Sequence, residues 1–258
     1  MLSVKISKNE RRTDMGKLLD SAVDIKELGQ RNLWVIYGKS NTGKTHLAAT
    51  FPKPLLYIQI GDDGSNTIAN VEGISAVSIK TVEDLKAIAE ELQKDKHYET
   101  VVVDTFSLVV TEWTSQKVVG KGKRMTQQNW GDLKTDTEEI IKCWHKVAKS
   151  HIVVLTCHES MDTVEGMEDE IAPDVRPSVS KGARTYLEGM ANYGIHTTRI
   201  SKEVLKGNVT KTLVKYAADI GPNPYYWTKL QIDSSIKVPD RIINPSYDKI
   251  MSIFGSVE

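Results

Sequence analysis

The amino-acid sequence predicts an α/β fold in which helices flank a mostly parallel β-sheet. Short runs of apolar, β-branched residues alternate along the chain with segments whose apolar residues recur at helical spacing. A glycine-rich turn directly follows the first of these runs. Strands separated by helices need crossover connections, which give parallel pairing. Past about residue 190, polar and apolar residues alternate instead, which predicts antiparallel edge strands in the C-terminal part.

The parallel part of the fold is predicted from five apolar runs and the helical segments between them. The runs predicted as strands are residues 33–37, 54–60, 74–79, 100–105 and 151–156. The segments predicted as helices are residues 45–50, 82–92 and 135–149. Pro52 and Pro54 end the first of these helices, because proline cannot continue a helix.

The C-terminal part is predicted to add a hairpin and a final helix. Residues 193–200 and 209–217 both alternate polar with apolar side chains, and Lys206-Gly-Asn208 lies between them as a turn. After Pro245, a last helix is expected from about residue 246 to 254. These antiparallel strands would extend one edge of the parallel sheet.

Composition indicates one large domain, residues 31–258, with residues 1–30 as an N-terminal extension. The 34 basic and 34 acidic residues cancel, which argues against a protein that coats nucleic acid with its whole surface, although a local basic patch remains compatible. The chain shows neither a signal-peptide pattern nor an apolar stretch of membrane-spanning length, so we expect a cytoplasmic protein with no membrane contact. Cys143 and Cys157 lack metal-ligand spacing and are expected to be reduced thiols.

The segment Gly38–Thr45, Gly-Lys-Ser-Asn-Thr-Gly-Lys-Thr, matches the phosphate-binding P-loop pattern G-x-x-x-x-G-K-[ST]. An apolar strand precedes it and a helix follows it, as this motif requires. The backbone N–H groups of this loop are expected to donate to phosphate oxygens. They belong to Gly38, Lys39, Ser40, Asn41, Thr42 and Gly43. Lys44 is expected to reach the β- and γ-phosphates and the Thr45 hydroxyl to bind Mg²⁺, so ATP and Mg²⁺ are the predicted cofactors.

A second motif, Val101-Val-Val-Asp104, ends a predicted strand with a carboxylate. Downstream of a P-loop, this pattern predicts a Walker B site in which Asp104 holds Mg²⁺ through water, beside Thr45. The alternative is an aspartate that only caps a turn after the strand. The next residue is Thr105, whereas many P-loop ATPases place a catalytic glutamate directly after the Walker B aspartate.

The carboxylate that orients the attacking water must therefore come from elsewhere. Asp62 and Asp63 follow the second strand and are candidates for this role, with a solvated Asp-Asp-Gly turn as the alternative. His158 and Glu159 follow the strand 151–156 and could sense the γ-phosphate and pass its presence to the following loop. The alternative for His158 is a histidine with a purely structural role.

A basic, glycine-containing segment follows the Asp104 strand and predicts contact with single-stranded DNA. Lys117, Lys121, Lys123 and Arg124 supply charge for phosphates, and Trp130 supplies a flat face for a base. The alternative is a solvated loop whose tryptophan packs on the core. The loop 161–181 is a weaker candidate, because its first half is acidic and only Arg176, Lys181 and Arg184 could meet phosphate.

The order of these motifs resembles the RecA-like ATPases of bacteriophages, in the Sak-type group of single-strand annealing and recombination proteins. The matching residues are Tyr37 to Thr45, Phe51-Pro-Lys-Pro54, Val102-Val-Asp-Thr105, Thr156-Cys-His-Glu159 and Arg176-Pro177. The resemblance covers about residues 30–254, and only its P-loop and Walker B motifs are specific. It implies a RecA-like core, ATP and Mg²⁺ as ligands, and recombination or annealing of single-stranded DNA. It also implies a homo-oligomer, ring or filament, with a single-strand binding protein as a further candidate partner.

Two other functions stay open from the sequence. One is a nucleotide-gated module that binds and anneals single-stranded DNA with marginal hydrolysis, and the other is a phosphotransferase acting on a small acceptor. Other P-loop classes fit less well, because the chain lacks the guanine-reading Asn-Lys-x-Asp motif and the Leu-Ser-Gly-Gly signature of ABC proteins.

Overall fold

In a computed structural model of the chain, the described residues are 22, 31–61, 65–165, 171–206 and 209–255. The predicted extension, residues 1–30, lies outside the described residues except for Ala22. Asp62 and Asp63 also lie outside them. Residues 31–258 form a unit separate from the first thirty residues, and the fold below is that of this unit.

Strands and helices alternate through most of the chain. The strands are β1 (Asn32–Tyr37), β2 (Leu55–Ile60), β3 (Ile74–Ile79), β4 (Thr100–Asp104), β5 (Ile152–Cys157), β6 (Glu159–Glu165), β7 (Ile171–Pro177), β8 (Tyr193–Lys206), β9 (Val209–Asp219), β10 (Lys229–Leu230) and β11 (Arg241–Ile243). The helices are α1 (Lys44–Ala48), α2 (Val82–Leu92), α3 (Leu108–Lys117), α4 (Gln127–Val147), α5 (Lys181–Met190) and α6 (Tyr247–Phe254). Short 3₁₀ turns span Ser65–Ile68 and Val119–Lys121.

Within the described residues, the main sheet has nine strands in the order β11-β9-β8-β1-β5-β4-β2-β3, with β10 beside β8. Strands β3, β2, β4, β5, β1 and β8 are parallel, whereas β9, β10 and β11 run antiparallel to their neighbours. The predicted α/β class, with a mostly parallel sheet and antiparallel strands in its C-terminal part, is confirmed. The predicted hairpin is the β8–β9 pair.

Both faces of the sheet are covered, which explains why the central strands are apolar at most positions, with polar residues mainly at their ends. In β1, Leu33, Val35 and Tyr37 pack into one core layer, and Trp34 and Ile36 pack into the layer on the opposite face. Successive side chains of a strand point to opposite faces, so a strand buried on both sides cannot alternate polar and apolar residues.

Parallel pairing brings the carboxyl ends of three strands to one edge of the sheet. Tyr37 at the end of β1 pairs with Cys157 at the end of β5, and β4 lies beside β5 and ends at Asp104. The loops that follow these strands therefore start side by side. In open α/β sheets this edge is where ligands bind.

The region after β4 is more helical than the sequence predicted. Helix α3 was not predicted, and α4 begins at Gln127 rather than at residue 135. A capping box fixes this earlier start: the Thr126 hydroxyl accepts from the backbone N–H of Asn129, and the Asn129 side chain accepts from that of Thr126. Trp130 consequently lies in the first turn of α4 and not in a loop.

The segment predicted as the loop 161–181 is largely a two-stranded sheet. β6 and β7 pair antiparallel from Glu159 opposite Pro177 to Glu165 opposite Ile171. Proline is tolerated in β7 because, on the side away from β6, this strand makes only an isolated bridge, from Val175 to Tyr226. No helix among the described residues is long and apolar enough to cross a membrane.

Candidate nucleotide-binding site

The loop Gly38–Thr45 connects the carboxyl end of β1 to α1, and its conformation depends on glycine at both ends. Gly38 has φ of 155°, and a Cβ there would lie 2.4 Å from the Thr197 carbonyl oxygen. Gly43 has φ of 90°, and a Cβ there would lie 3.1 Å from the Tyr216 ring. A side chain at either position would be strained and crowded, so the motif's glycines have a direct structural reason.

The P-loop is anchored to β8. The Thr42 hydroxyl donates to the Lys39 carbonyl at 2.8 Å and lies 2.8 Å from Thr197 Oγ1. The Thr197 hydroxyl also lies 3.1 Å from the carbonyl oxygen of Tyr37, the last residue of β1. These buried contacts hold the first half of the loop against the sheet.

Lys44 folds back into its own loop. Its ammonium donates to the carbonyls of Gly38 at 3.0 Å and Lys39 at 2.7 Å. Burial lowers the pKa of Lys44, although the nearby Asp104 carboxylate opposes this shift. A phosphate group would be a stronger partner than two neutral carbonyls, because hydrogen bonds between two ionised groups are the stronger kind.

Thr45 and Asp104 meet as the two motifs predict. The Thr45 hydroxyl donates to Asp104 Oδ2 at 2.6 Å, and Asp104 is only 3% exposed. Asp104 Oδ2 also accepts from the Tyr57 hydroxyl, and Oδ1 accepts from Thr105 and Thr156. A carboxylate and a hydroxyl at the mouth of a P-loop are the hard oxygen donors that Mg²⁺ prefers, so these residues fit that ion.

A cavity of about 640 Å³ opens over the P-loop. Its lining residues are Ser40, Asn41, Gly43, Lys44, Thr45, His46, Thr67, Asp104, Thr105, Leu108, His158 and Tyr216. This volume lies within the usual range for small-molecule and cofactor sites, about 300–1,000 Å³. The cavity therefore has both the size and the phosphate-binding floor that a nucleotide needs.

His158 and Glu159 are neighbours in sequence but line different cavities. His158 lines the cavity, and its backbone N–H donates to the Ser107 hydroxyl at 2.9 Å. Burial lowers the pKa of His158, and the Lys44 ammonium lowers it further. Glu159 instead lines a second cavity of about 200 Å³, together with Lys39 and Thr42.

Glu159 belongs to a chain of ionisable groups whose three middle members, Glu159, His196 and Asp219, are largely buried. One carboxylate oxygen lies 2.9 Å from His196 Nε2 and the other lies 3.9 Å from Lys39 Nζ. His196 Nδ1 lies 3.0 Å from Asp219, which accepts from Arg241 Nε at 2.5 Å. Burial alone would raise the pKa of Asp219, but the hydrogen bonds from His196 and Arg241 outweigh it and lower that pKa.

The basic segment lies at the far end of α3 from the cavity. Leu108, the first residue of α3, lines the cavity, and a ten-residue helix spans about 15 Å. Lys117 forms an ion pair with Glu83, whereas Lys121, Lys123 and Arg124 are exposed and, among the described residues, none of the three forms an ion pair. Trp130 is 55% exposed, so it does not pack in the core.

The arginines after β5 are already paired. Arg184 donates to Asp162 at 2.5 Å and to Ser160 at 2.8 Å. Arg176 donates to Asp174 at 2.6 Å and lies 3.5 Å from Glu188. These ion pairs hold the β6–β7 hairpin against α5 and make both arginines poorer partners for an added phosphate.

Sequence reasoning missed several residues of the site. Tyr57 and Thr156 lie in strands that were identified by their apolar character, and both donate to Asp104. The only local signal was a hydroxyl within an otherwise largely apolar strand. Tyr216 lies in an alternating strand far along the chain, and nothing in its neighbourhood indicated contact with the P-loop.

The chain matches the family described as AAA domain, AAA_24, over residues 31–226, which is most of its length. Among solved structures it is similar to the flagellar accessory protein FlaH from Methanocaldococcus jannaschii, with 12% identity over 89% of each chain and a TM-score of 0.40. No curated protein matches the chain. With its P-loop, its buried Asp104 and this family match, the chain belongs to the AAA domain family and is a nucleotide-binding P-loop protein.

Proposed function

We propose that this protein is a RecA-like, Mg²⁺-dependent ATPase that acts on single-stranded DNA in phage-type recombination or annealing, in the cytoplasm. The observation that carries the ATPase part is the convergence of Lys44, Thr45 and Asp104 at one end of the 640 Å³ cavity. Mg²⁺, when bound, would neutralise charge on the β- and γ-phosphates. Asp104 and Thr45 would hold it there.

The remaining chemistry falls to this chain's own side chains. Lys44 would exchange its two carbonyl partners for phosphate oxygens. His158 faces the same cavity with a lowered pKa, so it is neutral near pH 7 and can accept or donate one hydrogen bond at the γ-phosphate end. Asp62 and Asp63 remain the proposed carboxylates for orienting water, and Glu159 is the further candidate, although its contacts direct it to the second cavity.

The single-stranded DNA part of the proposal is supported by surface chemistry. Lys121, Lys123 and Arg124 present positive charge in the segment just before the helix that carries the exposed indole of Trp130, and charge with an aromatic face is the combination that single-strand binding uses. Exposed apolar side chains on β9, at Leu213 and Val214, support assembly with a second copy of the chain as a ring or filament. A single-strand binding protein is proposed as an additional partner on the resemblance alone.

Phosphate release measured with and without single-stranded DNA tests the proposal. Stimulation by DNA is the expected result. Binding of both ATP and DNA without turnover would indicate the nucleotide-gated annealing module, which the threonine at position 105 favours. Turnover that ignores DNA and phosphorylates an added small acceptor would indicate a phosphotransferase and refute the proposal.

A further inference from the structure

The carboxylate of Asp104 accepts hydrogen bonds from hydroxyls in four different parts of the chain. Oδ2 accepts from Thr45 at 2.6 Å and from Tyr57 at 2.8 Å. Oδ1 accepts from Thr105 at 2.8 Å and from Thr156. An ionised carboxylate offers about four lone-pair positions, so these donors saturate it.

The four donors divide into two matched pairs. Thr45 and Thr105 are half-buried and line the nucleotide cavity. Tyr57 and Thr156 are 1% and 0% exposed, and they lie on β2 and β5, the strands on either side of β4. Each carboxylate oxygen is therefore bound by one hydroxyl from the cavity and one from the protein interior.

We propose that Tyr57 and Thr156 are positioning residues that fix Asp104 in the orientation needed for Mg²⁺-dependent nucleotide binding. This inference rests on the proposed function. Thr45 and Thr105 are the exchangeable donors, because they face the cavity and can turn to other partners there. Tyr57 and Thr156 remain on Asp104 throughout, one on each oxygen, and so prevent the carboxylate from rotating.

The interior pair has few other acceptors: among the described residues Thr156 has one, the Val103 carbonyl at 3.5 Å, and Tyr57 shows none. A buried hydroxyl that loses its partner is costly, which favours retention of the Tyr57 and Thr156 contacts when the cavity is filled. Burial raises the pKa of Tyr57, and the Asp104 carboxylate raises it further, so the phenol stays a donor. Groups that hydrogen-bond a metal-binding side chain typically change metal affinity by about 10–100-fold when removed.

Tyr57→Phe tests the proposal, because it removes one hydroxyl and keeps the ring. Binding of fluorescent ADP to the purified full chain would be measured in EDTA and across a Mg²⁺ titration. We expect the variant to need about 10–100-fold more Mg²⁺ for half of the metal-dependent gain in affinity. Its affinity in EDTA should equal that of the wild type.

Two further variants keep the test decisive. Thr156→Val removes the interior hydroxyl on the other oxygen and should shift the Mg²⁺ titration in the same direction, so it replaces Tyr57→Phe if that variant does not fold. Tyr193→Phe is the matched control, because Tyr193 is 6% exposed and packs in the same core layer as Tyr57 but does not contact Asp104. It should leave the titration unchanged.

Three results would overturn the proposal. The first is an unshifted Mg²⁺ titration in folded Tyr57→Phe and Thr156→Val. The second is an equal loss of ADP affinity in EDTA and in Mg²⁺, which would indicate general damage to the site. The third is a wild-type protein whose nucleotide affinity ignores Mg²⁺, which would refute the proposed Mg²⁺-dependent function as well.

Discussion

Neutralising the exposed cations between α3 and α4 should flatten the salt dependence of single-stranded DNA binding. The perturbation is the triple substitution Lys121→Gln, Lys123→Gln and Arg124→Gln. Lys117 is left out because its ammonium is already paired with Glu83. Each phosphate contact to a single strand contributes about −0.7 to the slope of log affinity against log salt, so three contacts contribute about −2.

The wild-type protein should therefore lose about 20-fold in affinity between about 50 and about 200 mM salt through these contacts. Over the same salt range, the fold-loss of affinity of the triple variant should be smaller than that of the wild type by this factor of about 20. The assay is fluorescence anisotropy of a labelled oligonucleotide, with a non-hydrolysable ATP analogue present. A matched control replaces Lys94, Lys96 and Lys149 by glutamine, because these exposed lysines precede β4 and β5 and lie at the opposite edge of the sheet.

Trp130→Ala extends the same experiment to the base contact. The substitution should cost about 1–3 kcal/mol of binding free energy if a base stacks on the indole. It should change the free energy of unfolding by no more than about 0.5 kcal/mol, because the side chain is 55% exposed in the first turn of α4. A triple variant whose slope equals that of the wild type, with Trp130→Ala binding normally, would refute this surface as the DNA contact.

Three further outcomes are expected at other positions. Lys44→Ala should abolish ATP turnover in a phosphate-release assay. It should not lower the melting temperature, because burial disfavours the charged ammonium of Lys44 in the folded protein. The control is Lys53→Ala, at another lysine whose pKa is lowered by burial, and this variant should keep its turnover. Gly43→Ala should weaken fluorescent-ADP binding, because φ is 90° and the new Cβ would crowd Tyr216; wild-type affinity would contradict this. Asp219→Asn should lower the free energy of unfolding by about 1.5–3 kcal/mol near pH 7. The pKa of Asp219 in the folded protein is lowered from 3.8, so the stability difference between wild type and variant should be constant above about pH 5. It should vanish as the pH falls through that lowered pKa. Urea titrations at several pH values would measure this.

Local patterns predicted the parallel half of the fold well, for physical reasons. A strand buried on both faces must be apolar along most of its length, so β1, β4 and β5 are recognisable without any knowledge of their partners. The P-loop and Asp104 are similarly local, since each motif carries its own preceding strand.

The missed elements depend on information that local patterns do not contain. In α3, the β-branched residues Val109 and Val110 favour a strand as readily as a helix. The early start of α4 depends on a capping box completed by Asn129 in place of the usual glutamate or glutamine.

The missed site contacts join residues far apart in the chain. Tyr57 and Thr156 reach Asp104 across 47 and 52 positions, and His196 meets Glu159 across 37. No window of sequence short enough to show a motif includes both partners. Only the order of strands in the sheet brings them together.

The charged chain from Lys39 to Arg241 has a consequence for how this sequence can evolve. Its members lie in contact in the order Lys39, Glu159, His196, Asp219 and Arg241, so His196 has a carboxylate on each side. Losing one of the three middle members would leave both of its neighbours, at least one of them buried, short of one polar partner, which is costly. Among related proteins, Glu159, His196 and Asp219 should therefore be retained or replaced together, as one inherited unit.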